Sequence, residues 1–100
     1  MKNKKNNYPM NLQTEEEIKL IQERFEDLLK SCTRCNSEED KVLIHKAFNL
    51  ANEAHKGVRR KSGEPYIIHP IAVAKIVTSE IGLGAKSVAS ALLHDVVEDT

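Results

Sequence analysis

The sequence predicts an all-α domain. Four stretches of apolar residues recur at helical spacing, no stretch alternates with the two-residue period of a strand, and connections of about 5 to 13 residues join the periodic segments. That pattern describes a small helical bundle, and 100 residues suffice for one such domain and not for two. Fifteen Lys and Arg offset fifteen Asp and Glu, so the net charge is zero. General attraction to DNA or to an anionic membrane is thereby removed, and any polyanion site must be local. The longest apolar run is four residues, 71–74, whereas a membrane span needs about 20. A signal peptide also needs a continuous apolar centre, so the expected compartment is the cytoplasm.

Each element has its own signals. Residues 1–13 carry three Lys, four Asn and no acid; with so little apolar surface they read as a flexible tail ahead of a domain spanning 14–100. Thr14 with Glu17 is a capping box, after which Ile18, Ile21, Phe25, Leu28 and Leu29 form one stripe of a helix running to about Lys30. Ser37 with Asp40 repeats the start signal. Two stripes follow, Ile44, Ala47, Phe48 and Ala51 beside Leu43, Leu50 and Ala54, a width that predicts a central helix ending near a Gly57 cap. Residues 59–65 make an irregular basic loop. A third helix is expected from Pro70, which leaves His69 just outside it facing a cleft, with Val73, Ala74 and Val77 buried. Gly82 and Gly84 bracket a turn, and residues 85 to about 97 form the fourth helix.

The chemistry concentrates at the chain's end. His94, Asp95, Glu98 and Asp99 place one imidazole and three acids within six residues, with His94 and Glu98 one helical turn apart and Asp95 and Asp99 likewise. Stacked carboxylates repel, and burial beside Leu92, Leu93, Val96 and Val97 would raise the cost; a bound cation resolves the conflict. An acidic helix end is ordinarily a solvated one, and the enclosing apolar residues are what argue otherwise here. His69 is the natural third ligand, and imidazole with carboxylate suits manganese, iron or zinc. Arg59, Arg60 and Lys61, followed by Ser62 and Gly63, form an anion clamp. A clamp beside a metal site describes a phosphoester substrate. Cys32 and Cys35 lack a second pair for a zinc ribbon and a preceding strand for a thioredoxin-like motif, so they read as reduced, incidental thiols. His45 and His55 read as ordinary helix residues.

The stretch AHKGVRRKSGEPYIIHPIAVAKIV, residues 54–77, followed by ALLHDVVEDT, residues 91–100, resembles the N-terminal hydrolase domain of the RelA/SpoT homologue family, within the HD metal-phosphohydrolase superfamily. RKSGEPY, HP and HDVVEDT are specific in combination. The resemblance implies the N-terminal part of an all-α HD-domain bundle. It further implies a guanosine-3′,5′-bis(diphosphate) 3′-pyrophosphohydrolase of the stringent response, which converts the alarmones ppGpp and pppGpp to GDP or GTP and pyrophosphate. By resemblance, His69, His94 and Asp95 match ligands of a manganese ion. Glu98 and Asp99 match the acidic pair that positions or activates the attacking water, and Arg60, Lys61 and Ser62 match the loop that packs on the guanine nucleotide.

Three departures stand out. The family's fourth ligand is an Asp on a later helix, which implies either a domain truncated at its C-terminus, a fragment expected to be inactive alone, or a site that is incomplete as given. Val58 replaces a frequent Gln, and the Gly82–Gly84 turn is atypical. Two other functions fit the residues. One is a non-catalytic, nucleotide-binding HD domain that regulates an adjacent synthetase; the other is an HD phosphohydrolase for a different nucleotide, against which RKSGEPY argues. A synthetase domain or a ribosome becomes a partner only if the chain continues.

Overall fold

The computed structural model describes residues 13–99, with side chains described as far as residue 96. Apart from Gln13, the expected tail lies outside the described residues. Four α-helices follow in order: α1 (Glu15–Ser31), α2 (Glu38–Ala54), α3 (Ile68–Ile76) and α4 (Ala85–Asp99), with a π-helical turn (Val77–Ile81) extending α3. The architecture is all-α. Among the described residues the only β-type pairing is an isolated antiparallel bridge between Arg59 and Pro65.

Local chemistry sets the ends. Thr14 Oγ1 accepts from the Glu17 amide at 3.1 Å while the Thr14 amide donates back to Glu17 Oε1 at 2.9 Å. This closes the capping box, a feature that contributes about 1 kcal/mol. Ser37 Oγ caps α2 by accepting from the Asp40 amide. Between these helices Cys32 and Cys35 face each other across a tight turn, Cα atoms 5.5 Å apart, and are joined by a disulfide. The expectation of two reduced thiols is therefore corrected: the turn brings the pair within bridging distance, and both are buried in the core.

α4 packs against α2 and α3, and α1 against α3. Leu28, Ile44, Ile67, Pro70, Val88 and Leu92 are sealed from water, and Phe25 stacks on Phe48 with ring centroids 4.0 Å apart. Two stripes came out narrower than the sequence suggested. On α2 the Ile44, Ala47, Phe48, Ala51 face is buried, whereas Leu43 and Leu50 are 37% and 57% exposed, so α2 is a surface helix among the described residues. On α1, Ile18 is likewise exposed. On α1 and α2 only one face meets the neighbouring helices, and a second stripe about 100° round finds little to pack against.

α3 starts at Ile68, two residues before the predicted start, and places His69 inside its first turn. Proline is tolerated there because the first four amides of a helix have no intrahelical partner. The buried face is Ile67, Ile68, Pro70, Ile71 and Ala74, with Val73 and Val77 only half-buried. The π turn has a local cause: Thr78 Oγ1 and Ser79 Oγ both donate to the Lys75 carbonyl, competing with the amide that would otherwise bond there. Gly82, at φ 79°, ends the turn by donating its amide to Val77 O, a left-handed conformation that favours glycine.

Leu92→Ala should cost about 2–5 kcal/mol in urea unfolding, whereas Leu50→Ala should stay within about 0.5 kcal/mol of the parent. Equal losses would contradict the one-faced burial of α2.

Candidate functional site

The site forms where the basic loop, the first turn of α3 and the last turns of α4 meet. The chain leaves α2 at His55, which caps that helix, and closes the loop by hydrogen bonds from Tyr66 N to Val58 O (2.9 Å), Arg60 N to Glu64 O (2.9 Å) and Gly63 N to Arg60 O (2.8 Å). Gly63 turns the tip at φ 97°, where a side chain would be strained. Arg60, Lys61 and Ser62 stand exposed at that tip, and the Ser62 hydroxyl donates to Glu64 Oε1 at 3.0 Å. Together with Val58, Arg59 and Tyr66 they line an open cleft of about 510 Å³.

Tyr66 is the hub. Its hydroxyl donates to Asp95 Oδ2 at 2.6 Å, its ring meets His69 edge-on with centroids 5.9 Å apart, and it lies against His55 at 4.7 Å. His55 is 5% exposed, and its Nε2 has no hydrogen-bond partner among the described residues. The other oxygen of Asp95, Oδ1, lies 3.0 Å from His94 Nε2, and His94 Nδ1 lies 3.4 Å from Ala91 O. Arg60 reaches back over the cleft: its Nη1 is 3.1 Å from His69 Nδ1. A guanidinium only donates, so Nδ1 is the acceptor.

The loop is held from outside. Arg59 grips Glu17 of α1 with both terminal nitrogens, Nη2 to Oε1 at 2.6 Å and Nη1 to Oε2 at 2.8 Å, and Nη1 also donates to Gly63 O at 2.6 Å. The Arg59 hydrogen bond, then the Thr14 amide, lower the Glu17 carboxyl from 4.5 to about 2. A depressed carboxyl stabilises the fold above its unfolded value, and the contribution is lost as pH falls from about 4.5 towards 2.

Of the residues singled out from sequence, the fold brings His94 and Asp95 into contact, joins Asp95 to His69 through Tyr66, and sets Arg60 against His69. Lys61 and Ser62 share the cleft but touch none of the imidazoles in the contacts above. His69 is not outside α3 as expected, but its first-turn place still points it at the cleft residue Arg60. α4 continues through Asp99, and the side chains of Glu98 and Asp99 lie outside the described residues. Among the described residues no three His, Cys, Asp or Glu side chains are gathered to hold a metal ion. The donor types nonetheless fit a borderline or harder divalent ion, two imidazoles with one carboxylate. The phenol on Asp95 is the kind of outer partner that orients a ligating carboxylate. Sequence reasoning passed over Tyr66, although it lies between the loop and the His69-Pro70 step. It could not have found the Glu17–Arg59 pair, whose members are 42 residues apart.

A second groove, of about 470 Å³, runs between α1 and α3 past Arg24, Asp27, Ile71 and Lys75. Its lining contains no imidazole. The Lys75 ammonium bonds Asp27 there and holds that carboxyl below its usual value.

The HD domain family matches residues 47–100, more than half of the chain. The chain is 49% identical over 76 residues to the putative GTP diphosphokinase RSH1, chloroplastic, of Oryza sativa subsp. japonica, covering 76% of this chain and 8% of that protein. It is 50% identical over 75 residues to guanosine-3′,5′-bis(diphosphate) 3′-pyrophosphohydrolase of Vibrio cholerae serotype O1, covering 75% and 10%. With the bifunctional (p)ppGpp synthase/hydrolase SpoT of Escherichia coli K12 it shares 43% identity over 76 residues, covering 76% and 11%. The chain thus spans about a tenth of the length of these relatives.

Tyr66→Phe keeps the ring against His55 and His69 and removes the donor to Asp95. It should lower stability by about 1–2 kcal/mol in urea unfolding at pH 7; an unchanged midpoint would show that the phenol does not hold the carboxylate.

Proposed function

The chain belongs to the HD domain family, in its RelA/SpoT branch, and from that premise we propose that it forms the nucleotide- and metal-binding part of a ppGpp and pppGpp 3′-pyrophosphohydrolase, releasing pyrophosphate and GDP or GTP. The observation that carries this reading is the meeting of two constellations in one place. Arg60 of the anion clamp touches His69, and Tyr66 of the same cleft bonds Asp95.

In this reading His69, His94 and Asp95 hold the ion. A bound manganese supplies Lewis acidity toward the phosphoryl group and favours ionisation of a nearby water. Arg60 and Lys61 offset the charge of the diphosphates, and Arg60 leaves His69 for the substrate, since a phosphate is a better bidentate acceptor than a ring nitrogen. The Ser62 hydroxyl turns from Glu64 to the nucleotide. Tyr66 keeps Asp95 in one orientation. Glu98 and Asp99, on the next turn of α4, position the attacking water and take its proton. The four parts are separable in kind: ligands decide whether the ion stays, clamp residues decide affinity, Tyr66 decides geometry and the acidic pair decides turnover.

In the full-length protein, His94→Ala or Asp95→Ala should abolish pyrophosphate release and lower manganese content together, with metal affinity falling by at least the 10- to 100-fold roughly expected even for loss of an outer partner. Full activity with the metal retained would overturn the site.

A kinetic split tests the roles. Arg60→Ala and Lys61→Ala should mainly raise KM, because their contacts exist in ground state and transition state alike, while Glu98→Ala and Asp99→Ala should mainly lower kcat. The reverse pattern would exchange the roles of clamp and acidic pair.

A further inference from the structure

We propose that Glu17, at the start of α1 and outside the matched region 47–100, is a positioning residue for the substrate loop, acting through Arg59. The geometry supports this in three steps. First, the Arg59 guanidinium spans two elements at once, both Glu17 oxygens on one side and the Gly63 carbonyl on the other. Second, Gly63 is the far limb of the turn whose near limb is Arg59 itself, so the same group that anchors the loop also closes it, with Arg60, Lys61 and Ser62 in the span between. Third, Glu17 is itself immobilised, because its carboxylate accepts from the Thr14 amide in the capping box of a helix whose other end is packed into the core through Leu28. The partners are only 22% and 24% exposed, which limits the competition from water that makes most surface pairs weak.

The chain of contacts runs from the α1 cap through Glu17 and Arg59 to Gly63, and ends one residue from Ser62. Without the Glu17 charge, Arg59 loses its two-oxygen, charge-assisted grip on α1, and more of the loop's order must be supplied when the nucleotide binds rather than before it. That ordering cost falls on affinity and leaves the reacting groups at His69, His94 and Asp95 untouched. Lysine cannot substitute for Arg59, since an ammonium lacks the planar fork that meets two carboxylate oxygens and a carbonyl together.

The inference takes the loop's ligand from the proposed function, so its test reads the loop both with and without catalysis. Glu17→Gln retains an oxygen for the Thr14 amide and keeps the cap. In the full-length protein it should raise KM for guanosine 3′,5′-bis(diphosphate) about fivefold at unchanged kcat. Arg59→Lys should match it, and the double variant should be no worse than either single change, the signature of one shared interaction. Independently of any ligand, amide hydrogen exchange at Arg60 and Gly63, both bonded within the loop, should accelerate about fivefold in Glu17→Gln. Unchanged exchange, additive single effects, or a fall in kcat at constant KM would each overturn the positioning role. A parent protein that releases no pyrophosphate would defeat the proposed function alone, while the exchange measurement would still decide the loop.

Discussion

Burial of Val88, Ala89 and Leu92 is the constraint on which the rest of the molecule depends. A helix turns about 100° per residue, so fixing those three against α2 and α3 fixes the rotation of α4 about its axis. His94 and Asp95 then have no freedom of facing: two and three residues beyond Leu92, they stand at the rim of the core, one half-exposed and the other nearly covered, at 47% and 14%. A carboxylate so covered needs donors. Tyr66 supplies one from the loop, His94 stands 3.0 Å from the other oxygen, and the polar site exists because the apolar packing beneath it has already been decided.

From that point the loop's geometry follows. Tyr66 precedes the fully buried Ile67, which pins the exit of the loop to the core, and His55 at the end of α2 pins its entry. Between these posts the chain must return on itself, with Gly63 making the reversal and the Arg59–Pro65 bridge closing it. The cations are thereby pushed to the tip, where they can remain hydrated. Only Arg59 turns inward, and it does so because Glu17 is there to meet it. One largely covered arginine, met by Glu17 and Gly63, and two solvated cations beside it are a division of labour imposed by the cost of burying charge.

The end of α1 shows the same economy of contacts. Ser31 and Thr78 hydroxyls lie 2.9 Å apart, Arg34 donates to Gly82 O at 3.3 Å, and the Cys32–Cys35 bridge sits beside them in the core. The π turn that widens the end of α3 thus has polar partners on α1 and its following loop, which meet the Thr78 hydroxyl and the Gly82 carbonyl, the latter at a helix end where carbonyls have no intrahelical partner.

Helix number, the two N-caps and the buried stripes around Phe25, Phe48 and Leu92 were legible in the sequence because each rests on a period or on a pair of residues three apart. So was the branch of the HD family, through RKSGEPY, HP and HDVVEDT. Tertiary structure alone decided which of two apolar stripes on α2 was buried, since periodicity records that a face is apolar and not whether a neighbour covers it. It alone bonded Cys32 to Cys35, because a C-x-x-C spacing permits a bridge without requiring one. It also made Tyr66 the link between Asp95 and His69, and Glu17 the anchor of a loop 42 residues away. Local patterns are written by interactions that repeat along the chain, whereas these partnerships depend on where distant segments stop against one another, and that is set by the whole core at once.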